Sequence, residues 1–403
     1  MSVSSGATVG RDLRIDFFRG IALVMIFVNH IPGNPLSLLT QRSWGFSDSA
    51  EVFVLLAGLA SALAYSKFFD RNAAGAGTVA VLTRMWSLYI THLMLFLVVA
   101  ALCVLGAEHL NEPTYLETLG FDVFLQAPAG FIVSVLTLRF LPGYLDILPL
   151  YVVLLATLPL LMWLSRRHWL LPLLAALALY VAVQITPFNL PNSRTAREWF
   201  FNPFAWQLLF VIGFTIGRRL QSAAILPLGQ HTGAIHPAMA RGTPIHRLIT
   251  AAAALFTLAA FLVVAPWREL PGYENVFIVN PASLSAFSKS DFHPMRLIDI
   301  LAKLWLVAVF VDAGSRWLAS AAARVFIAMG RHSLEVFALS TVLSVAAGIL
   351  ATVYGFQPWL VAALNGIGFL AMASLGALLE WRKRAMASLA APPLSPLATD
   401  RPT

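Results

Sequence analysis

This sequence predicts an all-α polytopic membrane protein of about ten transmembrane helices, and three observations lead there. The 403-residue chain is 59% hydrophobic and only 11% charged, whereas ordinary soluble domains are about a quarter charged. Its mean hydropathy is +0.78, and apolar runs of about 20 residues recur from end to end, each long enough to cross a hydrocarbon layer of roughly 30 Å. The period-2 alternation in roughly 10-residue pieces that marks a transmembrane β-barrel does not appear.

The spans read as 14–32, 49–69, 79–106, 144–165, 168–186, 203–220, 246–266, 296–314, 331–353 and 357–381. The third is long enough to tilt. The fairly apolar segment 121–139, with Pro128, Gly130 and Arg139, reads as a re-entrant or interfacial piece. Basic residues collect in alternate connections: Arg11 and Arg14, then Lys67, Arg71 and Arg84, then Arg166 and Arg167, and so on to Arg382, Lys383 and Arg384. The positive-inside rule then places both termini in the cytoplasm and the longer loops at about 107–143, 187–202 and 267–295 outside. Residues 221–245, rich in Gly, Pro, Ala and His, read as a flexible cytoplasmic connector. Residues 385–403 read as a disordered tail, which leaves 1–384 as a single transmembrane domain. The net charge of +8 follows from this loop bias, so no nucleic-acid partner is implied; the expected surroundings are membrane lipids. Cys103 is the single cysteine and cannot form an internal disulfide. Pro32-Gly33-Asn34-Pro35 follows the first apolar run where a signal-peptide cleavage site would need small residues, so that run reads as retained.

Chemistry concentrates between Leu13 and Gly58. In a helix Arg19 and His30, eleven residues apart, lie about 20° from a shared face and about 16 Å apart along the axis. Asp16 and Arg19 are i,i+3 neighbours able to pair. Asp48 and Glu51 enter the next helix from the His30 end. Arg14 and Arg19 read equally well as snorkelling anchors, and His30 as an interfacial cap before Pro32. Three ionisable groups able to meet across one helical hairpin nevertheless point to a functional site. Histidine beside a carboxylate is the arrangement for general base catalysis, in which the carboxylate orients the ring. No G-x-S-x-G elbow, metal-ligand spacing or nucleotide fingerprint is present. The remaining chemistry is transfer of an activated group from a donor made elsewhere, and no tightly bound cofactor or metal is expected.

The pattern Arg14-x-Asp16-x-x-Arg19-Gly20 followed by His30 resembles the first helix of the membrane acyltransferase-3 superfamily. Ser49-Ala50-Glu51-Val52-Phe53-Val54-Leu55-Leu56-Ala57-Gly58 resembles its second-helix signature, with Ala57 at the usual serine position. The segments Asp12 to Gly20, Gly143 to Tyr151, Phe201 to Gln207 and Gly330 to Leu334 together resemble the OpgC family, over about Arg11 to Trp381. The resemblance implies an O-acyltransferase of a bacterial inner membrane. It would move an acyl group, succinyl in the OpgC case, from cytosolic acyl-CoA to a hydroxyl of a periplasmic glucan. It implies His30 as the catalytic residue and Arg19 as essential.

Other polar residues carry open alternatives. His332 and Ser333, with Arg14, Asp16 and Arg19, are candidates for acyl-CoA binding; helix capping is the plainer role of His332. Asn29, Tyr144, Asp146, Trp206 and Gln207 are candidates for acceptor binding, though aromatics at such depths also anchor interfaces. Arg296, Asp299 and Lys303 face one way in the eighth span, either as a site for a carboxylate or as a structural ion pair between Asp299 and Lys303. The competing function is a proton-coupled transporter or flippase of a sugar or lipid-linked precursor, with His30, Glu51 and Asp299 as relay. The acyltransferase reading requires Asp48 or Glu51 to reach His30 as its orienter.

Overall fold

The computed structural model describes residues 12–118, 120, 128–193, 197–225, 242–267 and 287–390. Among them it is almost wholly helical. One short antiparallel pair, β1 (Pro191–Asn192) and β2 (Arg197–Glu198), sets Pro191 opposite Glu198. The helices are α1 (Leu13–His30), α2 (Ser49–Asp70), α3 (Ala74–His109), α4 (Thr114–Thr118), α5 (Pro128–Leu136), α6 (Ile147–Ala156) and α7 (Leu158–Arg167). They continue as α8 (Leu171–Ile185), α9 (Pro203–Ile225), α10 (Pro244–Val264), α11 (Pro294–Phe310), α12 (Ala321–Arg331), α13 (Ser333–Tyr354) and α14 (Pro358–Ala390).

Each of the ten stretches read as spans is occupied by helix. Among the described residues, five helices are by length and composition apolar enough to cross a membrane: α2, α3, α10, α13 and α14. A sixth results if α6 and α7, which meet at a 41° bend, count as one span. The others are shorter or more polar: α11 has 17 residues, α8 has 15, and α1 carries Arg14, Asp16 and Arg19 near its start.

Several boundaries differ from expectation. The connector expected at 221–245 is helical as far as Ile225 and again from Pro244, and residues 226–241 lie outside the described ones. The tail expected from residue 385 begins as helix, since α14 runs to Ala390; residues 391–403 lie outside the described ones. In both places the helix continues past the apolar run because an α-helix satisfies its own backbone and the residues beyond are mostly helix-tolerant. The loop expected at 107–143 contains α4 and α5, with 121–127 outside the described residues. The amphipathic α12 lies just before the ninth expected span and packs on α1 and α14.

Helix starts follow from local chemistry. Asp12 caps α1 by accepting the Arg14 N–H. Asp48 caps α2 by accepting the Ala50 N–H, while the Glu51 side chain returns to the Asp48 N–H, completing a capping box. Asn202 accepts the Phe204 N–H ahead of Pro203, which stands in the first turn of α9 where its missing donor costs nothing.

Small residues set the closest helix contacts. α2 packs most extensively on α9. A Cβ added at Gly58 would overlap the Phe210 carbonyl oxygen, and one at Gly213 the Leu55 carbonyl oxygen. Gly217, one turn on, meets Leu59 in the same way. Between α1 and α12, Gly20 faces the Phe326 carbonyl and Gly330 faces the Asp16 carbonyl. Helices in lipid gain little from hydrophobic burial against one another, so such backbone approach carries much of their association. Gly213→Ala is therefore expected to lower the thermal unfolding midpoint in detergent by the equivalent of about 1–3 kcal/mol. Gly366→Ala in α14, where an added Cβ meets nothing within 4 Å, is expected to leave the midpoint unchanged or raise it slightly.

Candidate active site

A cavity of about 1120 Å³ opens where the C-terminal end of α1, the N-terminal end of α2 and the start of α6 meet. His30, the last residue of α1, lies in its wall with Asn29, Asp48 and Ser49. Tyr144 and Asp146, on the turn before α6, form another part of the wall. The Tyr144 ring centroid is 4.6 Å from that of His30. Tyr144 adopts φ +72°, a left-handed conformation that costs energy in a bulky residue and that the surrounding packing must impose. His30 Nδ1 is buried without a hydrogen-bond partner.

The carboxylates expected to orient His30 are engaged elsewhere. Glu51 is fully buried; its Oε1 accepts from Arg296 Nε at 2.7 Å and Nη2 at 2.6 Å, and its Oε2 accepts the Asp48 N–H at 2.9 Å. Asp48 Oδ1 accepts the Ala50 N–H, while Oδ2 binds Lys289 Nζ at 2.5 Å and lies 3.7 Å from Arg296 Nη2. Neither carboxylate hydrogen-bonds His30. The pairing expected from the sequence is replaced by a knot of two acids and two cations, because the cations arrive from a segment remote in sequence. Lys289, Asp48 and Arg42 do lie within electrostatic range of the ring.

The remaining polar candidates divide between cavity wall and scaffold. Asn29, Asp146 and Arg296 line the cavity. Asn29 Oδ1 accepts from the Thr40 hydroxyl at 2.8 Å. Asp146 stands at the N-cap position of α6 without capping it. Trp206 and Gln207, expected at an acceptor site, do not line it. Trp206 is fully buried, and its Nε1 donates to the Lys289 and Ser290 carbonyls, which positions Lys289. Gln207 Nε2 donates to the Ala176 carbonyl. Asp299 and Lys303 form the structural ion pair at 2.6 Å, and Asp299 Oδ2 also accepts from the Ser47 N–H and hydroxyl. That pair anchors the segment leading into α2 and is not itself in the wall.

A second cavity, of about 210 Å³, runs beside α2 from Phe53 and Ala57 to Ala64 and Tyr65. Arg19 lies in its wall and donates from Nη2 to the Leu56 carbonyl. The two cavities share Phe53, Arg84, Leu88, Tyr151 and Ser333, so they abut. Arg14 lines neither; it forks onto Asp12 and reaches the Val311 carbonyl. Asp16 is buried against Arg331, at 3.4 Å, and Arg331 also binds Glu380 at 2.8 Å. His332 Nε2 lies 3.5 Å from Glu380 Oε2. These groups fasten α1, α12 and α14 together.

Sequence reasoning missed Lys289, Arg42 and Tyr151 in the cavity walls and treated Arg84 only as a loop cation. Arg84 gave a usable signal, an arginine within a run that proves helical from Ala74 to His109. Lys289 gave none, since it lies in a polar loop whose partner is 241 residues away.

The class so defined is an all-α membrane protein whose helix hairpin carries a histidine into a large cavity of mixed polar and apolar lining. The chain matches the family model described as OpgC protein over residues 11–384, and it belongs to the OpgC family. A membrane acyltransferase-type role goes with that membership. No curated protein and no solved structure gives a match.

Removing the Arg296 cation strands a fully buried Glu51. Arg296→Met is expected to destabilise the protein by about 3–5 kcal/mol, read as a lower unfolding midpoint in detergent. Combining it with Glu51→Gln is expected to recover much of that loss.

Proposed function

We propose that this protein transfers an acyl group, succinyl in the first instance, from cytosolic acyl-CoA to a hydroxyl of a periplasmic glucan. The reading places it in a bacterial inner membrane with ten spans and both termini in the cytoplasm, as expected of an acyltransferase-3 relative. The observation that supports it best is the pair of abutting cavities along the α1–α2 hairpin, with Arg19 at one end and His30 at the other. These two residues are about 16 Å apart along α1. A donor with phosphates at one end and a thioester at the far end of a thin arm suits such a path.

In this mechanism the phosphate end lies toward Arg19 and Ser333, while Arg14, Asp16 and His332 keep the surrounding helices in place. The acceptor enters the wide cavity among Asn29, Tyr144, Asp146 and Arg296. His30 Nε2 takes the proton of the acceptor hydroxyl as its oxygen attacks the thioester carbonyl. The C–O bond forms, the C–S bond breaks, and the imidazolium returns its proton to the leaving thiolate. Arg42 and Lys289, near the ring, are placed to stabilise the oxyanion that develops on the carbonyl oxygen. The ring is oriented by packing on Tyr144 in place of a carboxylate.

The test is transfer of labelled short acyl groups from acyl-CoA to glucan by purified protein in detergent. The wild type is expected to label the glucan, and His30→Ala to lower the rate by at least about 100-fold with an unchanged unfolding midpoint. Failure of the wild type with every short acyl donor rejects the enzyme and favours glucan transport, assayed in sealed vesicles. Full transfer by His30→Ala rejects the role of His30.

A further inference from the structure

The wall common to the two cavities contains one polar group with no explanation in the fold. Among the described residues, Tyr151 is the only member of that shared wall whose side chain has a buried, unpartnered polar atom, its hydroxyl oxygen. Buried hydroxyls are almost always hydrogen-bonded, and leaving one unpaired is costly. A phenylalanine would fill the same space without that cost. His92 and Tyr115 are also buried polar side chains, but neither lines either of these two cavities.

The position of Tyr151 gives the hydroxyl its meaning. It lies five residues beyond Asp146, which is about one and a half turns, or roughly 7 Å, further along the axis of α6 from the His30 and Tyr144 contact. The Arg19 guanidinium lies within electrostatic range of it, and the residue lines both cavities. The hydroxyl therefore stands between the two ends of the path. Around it the shared wall is apolar at Phe53 and Leu88, both buried, with Ser333 at the start of α13 and one cation, Arg84. A passage with apolar sides and one unsatisfied hydroxyl suits a thin chain of methylenes interrupted by amides. A sugar would call for more hydroxyl partners.

We propose that Tyr151 is a donor-binding residue: its hydroxyl donates a hydrogen bond to an amide carbonyl of the extended thioester arm where the arm passes from one cavity to the other. This rests on the acyl-CoA reading above and adds the group that grips the middle of the donor. Tyr151 takes no part in bond making; it sets how far the thioester reaches toward His30.

The experiment compares wild type and Tyr151→Phe with acyl-CoA and with the corresponding acyl N-acetylcysteamine thioester, which keeps only the amide nearest the sulfur. Tyr151→Phe is expected to lower kcat/KM for acyl-CoA by about three- to tenfold, mainly through the donor KM, with the acceptor KM unchanged. The unfolding midpoint should be equal or higher, because an unpaired buried hydroxyl has been removed. An equal loss with the truncated donor assigns the bond to the amide nearest the sulfur, and a loss confined to acyl-CoA assigns it to the amide beyond; both support the proposal. Unchanged kcat/KM with acyl-CoA overturns it, and so does a lowered midpoint, which would mean that the hydroxyl serves the fold. If the wild type transfers from neither thioester, the acyltransferase reading itself has failed, a result separable from a variant that matches an active wild type.

Discussion

The charged knot at the N-terminus of α2 is the interaction on which the site depends. Glu51 is completely enclosed, yet both of its oxygens are used: one by the Arg296 fork, the other by the backbone N–H of Asp48. Asp48 in turn binds Lys289 and the first turn of its own helix. A carboxylate in apolar surroundings is tolerable only when paired and hydrogen-bonded. The sequence of α2 therefore commits the chain to bringing cations from the 287–296 segment to this point. Once they arrive, the cavity wall beside His30 is in place, and the segment carrying Lys289 is held from below by the Trp206 indole.

The knot also explains what His30 does not have. Asp48 and Glu51, the acids that enter α2 from the His30 end, are consumed in structure, and the imidazole packs instead on the ring of Tyr144, itself held in a left-handed conformation. Strain of that kind persists only where neighbouring structure over-determines it. Asp146, two residues from Tyr144, lines the wide cavity without capping its own helix. The polar inventory is thus sorted by tertiary packing into groups that hold the wall and groups that face the cavity.

The backbone contacts at Gly58, Gly213 and Gly217 act at longer range. They bring α2 against α9 closely enough that the α2 face opposite α9 is left to line the narrower cavity, with Phe210 of α9 at its edge. At the other end Asp16, Arg331 and Glu380 tie α1 to α12 and α14. The hairpin is therefore fastened at both ends by charge and along its length by small residues, and the path lies between those fastenings.

Much of this was legible in the sequence. Hydropathy marked ten helical stretches, since an apolar run in lipid has no better way to satisfy its backbone than a helix. Helical phase put Arg19 and His30 on one side of α1, and both line cavity walls. Asp48 and Glu51 were visible as a helix start with chemistry attached. Their partners were not, because Lys289 and Arg296 lie more than 240 residues away and no local period encodes a contact of that range. The same limit hid the roles of Trp206 and Tyr151 and the contact of Asp299 with Ser47. Periodicity determines which residues share a face of one helix; only the packing of helices distant in the chain decides whether that face meets a cation, a neighbour or an open path.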